Sequence, residues 1–122
     1  QLVLQHPEKA VNPRWRIKQI LQEGGAFTEE WLATLGIQNE WLERYPNELS
    51  GGQLQRVCLA RALAARTPFM IADEMTTMLD AVSQAQIWQI IMAEVEQRRL
   101  GVLAISHDPA LLRRISHRMV NV

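Results

Sequence analysis

Phe69-Met70-Ile71-Ala72-Asp73-Glu74 is a run of four apolar residues that ends in two adjacent carboxylates, and its reading decides the fold. A continuous apolar run of this length, entered through Thr67-Pro68, predicts a parallel strand buried on both faces. Downstream, Ile87, Ile90, Ile91 and Val95 recur on one face of a helix predicted from about Ala81 to Arg99. Gly101 separates that helix from a second buried strand, Val102 to Ile105. Asp108-Pro109 then reads as an N-cap with proline at the first helical position. The short helix it opens ends near Arg114, and residues Arg118 to Val122 predict a further strand. Strand, helix, strand, helix and strand in this order specify an α/β parallel sheet.

Upstream, Ser50 is a natural N-cap for a long helix through Ala65. Its buried side is read as Leu54, Val57, Cys58, Ala62 and Leu63. Leu2-Val3-Leu4 reads as the tail of a buried strand, closed by Gln5-His6-Pro7, because proline disfavours helix just before it. A polar loop runs to Pro13. Helical pieces with breaks follow to about Tyr45: Ile17, Ile20 and Leu21 before Gly24-Gly25, then a helix opened by Thr28 and carrying Leu32 and Leu35 to Gly36. Trp41 and Leu42 form a short third piece before Pro46.

Composition narrows the class. The 122 residues carry equal numbers of acidic and basic side chains, which argues against a nucleic-acid module with its usual basic surplus. An apolar fraction of 48% supplies enough material to bury, against disorder. One cysteine, Cys58, allows neither an internal disulfide nor a metal-ligand spacing. Gln1-Leu2-Val3-Leu4-Gln5 carries no initiator Met and no basic segment before an apolar stretch. The chain reads as one entered mid-strand, a fragment of a longer domain.

Ligands in parallel sheets sit beyond the carboxyl ends of the strands. Gln5, Asp73-Glu74 and His107 all stand at such ends. Successive residues there point in different directions, so one carboxylate can hold Mg²⁺ while the other polarises an attacking water. The plainer reading of such a pair is the polar start of a loop. Leu49-Ser50-Gly51-Gly52-Gln53 has the makings of an anion site, with glycines that allow close approach and free N–H groups at a helix start. Its plainer reading is a capped helix after a flexible turn.

Leu49-Ser50-Gly51-Gly52-Gln53-Leu54-Gln55-Arg56-Val57, followed by Ala60-Arg61-Ala62-Leu63, resembles the signature motif and helix of ABC ATPases. Phe69 to Glu74 resembles their Walker B strand, Thr77-Met78-Leu79-Asp80 their D-loop, Ile105-Ser106-His107-Asp108 their switch-histidine segment, and Val3 to Pro7 their Q-loop. These ordered stretches span essentially the whole chain.

The resemblance implies a partial P-loop NTPase-type parallel sheet with a small α-helical subdomain inserted. Residues 1–12 would hold the Q-loop region, 13–48 the helical subdomain, and 49–122 the signature helix, Walker B, D-loop and switch-histidine segments. It also implies ATP and Mg²⁺ as cofactors. Ser50, Gly51, Gly52 and Gln53 would contact the γ-phosphate of ATP held by a second ATPase subunit, the same chain or another. Asp73 and Gln5 would serve Mg²⁺, Glu74 would be the general base, His107 would hold phosphate and water, and Asp80 would link the two sites. The partners would be that second subunit and a transmembrane permease, with the protein peripheral on the cytoplasmic face of the membrane.

Within the family, Asn12-Pro13-Arg14 resembles the dipeptide, oligopeptide and nickel importers, and Gly52 to Arg61 the nickel-import ATPases. Two positions depart from the family pattern. Met75 stands where proline is usual and His6 where aspartate is usual. No Gly-x-x-x-x-Gly-Lys-Ser/Thr loop occurs in the chain, so most of the binding energy for a triphosphate is missing, and these residues alone are expected neither to bind ATP well nor to hydrolyse it. A soluble ABC protein of DNA repair or translation, and a truncated partner module, are the rival readings. The compact span from Gln5 to Ser50 favours the transporter.

Overall fold

The computed structural model describes residues 1–120. Three strands, β1 (Leu2–Leu4), β2 (Phe69–Asp73) and β3 (Gly101–Ile105), form one parallel sheet in the order β1-β2-β3. Leu4 aligns with Asp73, and Asp73 with Ile105. The strands therefore end level, which brings Gln5, Glu74 and Ser106-His107 to one edge. The chain is the α/β parallel-sheet protein that the sequence predicts.

Helices α1 (Ile17–Gly24) and α2 (Glu29–Thr34) make the helical layer, with single turns at Asn39–Trp41 and Pro46–Glu48. Thr28 caps α2 by accepting a bond from Trp31 N–H. The long helix α3 (Gly51–Ala64) begins at Ser50, whose hydroxyl accepts from Gln53 N–H, while the Gln53 amide oxygen accepts from Ser50 N–H. This reciprocal box satisfies two otherwise orphaned donors. Helix α4 (Ala81–Arg98) starts at Asp80 and α5 (Pro109–Ile115) at Asp108, each capped by its aspartate. Arg99 closes α4 in the left-handed region at φ 54°.

One contiguous core joins the sheet to the helical layer. Val3, Met70 and Ala72 from the strands pack with Ile17, Ile20, Leu21, Leu32, Val57, Leu59, Ile87 and Ile91. Helix α1 lies so close to α3 that a Cβ at Gly24 would run into the Arg61 carbonyl. Backbone cannot yield as a flexible side chain does, so Gly24→Ala is expected to cost about 1–3 kcal/mol through overpacking, read as a lower midpoint in guanidinium unfolding. Arg56 of α3 ties the layers further, donating to the Leu35 carbonyl at 3.1 Å and to Gln86 Oε1 of α4 at 2.8 Å. Arg61 donates to the Ala10 carbonyl at 3.0 Å.

Three expectations fail: β3, read as a second buried strand, has no fully buried residue, and the other two concern β2 and the C-terminal strand. Strand β2 is buried on one face only: Met70 and Ala72 are inside, whereas Phe69 is 71% and Ile71 40% exposed. Leu2, Leu103 and Ile105 share that open face, because the core helices of this chain lie against the opposite one. The strand predicted from Arg118 does not form through Val120, where the chain leaves α5 in bends without ladder partners. Asn121 and Val122 lie outside the described residues.

Cys58 sits inside α3, as the reading of a small buried apolar residue requires. Burial pushes its thiol from an ordinary 9.0 up to about 11, partly opposed by the nearby Arg61 cation. A raised folded value means that the protonated thiol supports the fold fully below pH 9 and stops doing so as pH rises through about 11. Cys58→Ala is therefore expected to flatten the alkaline fall of the melting temperature between pH 9 and 11, measured by circular dichroism against the parent.

Candidate active site

Glu74 follows β2 directly, and its backbone turns into the left-handed region at φ 55°. That conformation is uncommon for a residue with a Cβ and costs of order 1–3 kcal/mol. It is held by Glu74 N–H donating to the Ile105 carbonyl at 2.9 Å. The turn directs the carboxylate across to the end of β3, where Glu74 Oε1 meets His107 Nε2 at 3.0 Å. The other oxygen, Oε2, accepts the Thr77 hydroxyl at 2.8 Å.

The two partners differ in environment. The Glu74 side chain is 15% exposed and that of His107 96%. A carboxylate fixed by two donors beside a solvent-facing imidazole has the arrangement of a base and its orienting group.

Asp73, one residue earlier, is half-buried between Leu4 and Ile105 in the ladder. Gln5 occupies the bend just after β1. Neither side chain makes a hydrogen bond among the described residues. No group of three or more His, Cys, Asp or Glu suited to a metal ion occurs among those residues. One carboxylate and one amide at adjacent strand ends fit Mg²⁺, which keeps most of its waters and takes phosphate oxygens, and do not make an all-protein cage.

Ser50, Gly51, Gly52 and Gln53 form the start of α3, and no hydrogen bond joins them to Asp73, Glu74 or His107 among the described residues. The Ser50 hydroxyl oxygen and the Gln53 amide oxygen accept in their mutual cap, which leaves the Ser50 O–H and the Gln53 Nε2 hydrogens as donors. Among the described residues nothing lies within 4 Å of a Cβ position at Gly51, so the surface beside this glycine is open, and a helix start of this kind can take an anion. Gly52 lies against Leu79, which sets the helix start beside the Thr77–Asp80 segment.

Asp80 accepts from Ser83 N–H at 2.8 Å and from the Ser83 hydroxyl at 3.2 Å, and these bonds hold its carboxyl below the ordinary aspartate range. The loop between Glu74 and Asp80 is also anchored from below. Trp88 Nε1 donates to Thr76 Oγ1 at 3.1 Å in the core.

Sequence reasoning gave Thr77 no role of its own and read Gln55 only as part of a motif. Thr77 was accessible locally, since a hydroxyl three residues after an acid in a tight turn can reach back to it. Gln55 was not, because its partners lie far away in sequence.

The comparisons agree with this architecture. Residues 1–77 match the family model described as ABC transporter. The dipeptide transport ATP-binding protein DppF of Lactococcus lactis subsp. cremoris is 36% identical over 98% of this chain, which spans 42% of that protein. The oligopeptide transport ATP-binding protein OppF of Bacillus subtilis is 36% identical over 98% of the chain, which spans 43% of it. The chain thus covers about two-fifths of these relatives' length. Among solved structures, the dimeric ATP-binding cassette MJ0796, in a post-hydrolysis state bound to ADP and Pi, superposes with a TM-score of 0.74. It is 26% identical, with 93% of this chain and 55% of that one covered. With its strand-end acids, its glycine-led α3 and its parallel sheet matched over that span, this chain belongs to the ABC transporter family.

Proposed function

We propose that the complete protein is the ATP-hydrolysing subunit of an importer and that this chain supplies the hydrolytic and signature segments. The observation that carries the reading is the 3.0 Å contact of Glu74 with His107 at the carboxyl end of the sheet. Glu74 takes the proton of the attacking water, and His107 orients that water and the γ-phosphate. Asp73 and Gln5 are the groups that would hold Mg²⁺, which when bound neutralises charge on the phosphates. Ser50 to Gln53 offer the N-terminus of α3 to the phosphate of a nucleotide held by a second ATPase subunit, and Asp80 links the two sites.

The domain reading follows the same lines: residues 1–12 for the Q-loop region, 13–48 for the helical subdomain, 49–122 for the remainder. The phosphate-binding loop that the chain lacks, and the cover for the apolar sheet face, would come from the rest of the complete protein. Isolated residues 1–122 neither bind ATP well nor turn it over.

Among the described residues no helix is long and apolar enough to cross a membrane, in keeping with a peripheral subunit docked on a transmembrane permease at the cytoplasmic face. The dipeptide and oligopeptide transport relatives support a peptide-class solute. Nickel, suggested by Gly52 to Arg61, remains the alternative solute.

The test is phosphate release by the complete protein with its permease. Release that requires Mg²⁺ and rises with imported peptide is expected. Stimulation by Ni²⁺ instead moves the solute assignment to nickel, and absence of hydrolysis refutes the reading.

A further inference from the structure

Gln55 is a polar residue on the buried side of α3, only 2% exposed, among Leu54, Val57, Cys58 and Leu59. Its Nε2 donates to the Leu4 carbonyl at 2.9 Å and to the Met75 carbonyl at 2.7 Å. Both amide hydrogens are used, and the two acceptors fix which end of the amide is nitrogen, since a flipped group would set oxygen against two carbonyls. Its Oε1 is buried without a partner among the described residues. Burying that oxygen unpaired is unfavourable, so the residue is not explained by what its oxygen does. A methionine would fill much of the same space without the orphan, and only the amide nitrogen can hold both carbonyls.

The identity of the two acceptors gives this bond pair its meaning. Leu4 immediately precedes Gln5, and Met75 immediately follows Glu74. Leu4 is also the ladder partner of Asp73. One side chain, anchored one turn inside the helix that begins at Gly51, thus reaches the backbone flanking the strand-end amide and the backbone flanking the candidate base. The Met75 loop needs such a restraint, because Glu74 sits in a left-handed conformation that the chain does not favour.

We propose that Gln55 is a positioning residue: it clamps the Gln5 bend and the Glu74 turn to α3, so that the helix start and the carboxylate keep one relative geometry. The clamp touches no substrate. Its catalytic consequence rests on the ATPase reading above, whereas the clamp itself does not.

The test uses the complete protein with Gln55→Met, beside Leu59→Ala as a buried substitution on the same helix that leaves the clamp intact. Hydrogen exchange of the nucleotide-free proteins is measured first. Faster exchange is expected in Gln55→Met around residues 4–6 and 74–77, and not in Leu59→Ala. Steady-state kinetics follow. In Gln55→Met, kcat is expected to fall on the order of tenfold to a hundredfold through misplacement of the base, with KM for ATP within about threefold. Leu59→Ala lowers the melting temperature and keeps kcat within about twofold. Unchanged exchange at both segments in Gln55→Met overturns the clamp. Faster exchange with kcat no lower than in Leu59→Ala overturns its catalytic role. A parent protein that hydrolyses no ATP refutes the ATPase reading, and the exchange data then decide the clamp alone.

Discussion

Glu74→Gln in the complete protein is expected to lower kcat for ATP hydrolysis by about 10²–10⁴-fold, the usual range for removal of a general base. The amide keeps the shape, and with its oxygen in the place of Oε2 it still accepts the Thr77 hydroxyl, but it cannot take a proton from water. Binding is expected to survive, because the interactions with phosphate come from other groups. The variant should therefore bind ATP and accumulate as a closed pair of subunits, visible as an ATP-dependent dimer in size-exclusion chromatography. Unchanged turnover would remove Glu74 from the role. Glutamate and glutamine carry the same Cβ constraint in the left-handed conformation found at position 74, so a loss of activity does not reduce to a change in backbone strain.

His107→Ala is expected to lower kcat by roughly 10²–10³-fold, as loss of a preorganised hydrogen-bond donor does in other active sites. Its effect on stability should be small by contrast. The His107 side chain is 96% exposed, and exposed ion pairs contribute little to folding. Steady-state assays beside thermal melts separate the two effects. A melting temperature within a degree or two of the parent, with activity largely gone, marks a residue whose work is chemical. A variant that melts much earlier and hydrolyses normally per folded molecule would show the opposite.

The parts of the fold legible in the sequence are those written in local chemistry. Ser50, Thr28 and Asp108 each announce a helix start, and each caps one. Asp80 caps α4 in the same way, with Ser83 as its partner; the local signal was present, but the residue was read only through its family segment. The apolar run ending in Asp73-Glu74 gives the central strand, and the level ends of the strands bring Glu74 to His107. Family resemblance supplied the roles, since no spacing rule pairs residues that far apart.

What the sequence does not reveal depends on neighbours. A run such as Phe69 to Ala72 has no alternation that would distinguish one covered face from two, and only the placement of the helices leaves Phe69 and Ile71 open. The apolar residues near the C-terminus suggest a strand, but a strand needs a ladder partner, and none is offered through Val120. Gln55 reads as one polar residue in a helix until β1 and the loop after β2 fold against it.

The central claim is that Glu74 and His107 act as one catalytic unit, and a double-mutant cycle on kcat tests it most directly. Glu74→Gln, His107→Ala and the double variant are compared in the complete protein under saturating Mg²⁺ and ATP. Residues that act together lose little more when both are removed, so the account predicts a double variant close to Glu74→Gln alone. Losses that multiply would mean that the two side chains act independently, and the 3.0 Å contact would not be the working geometry.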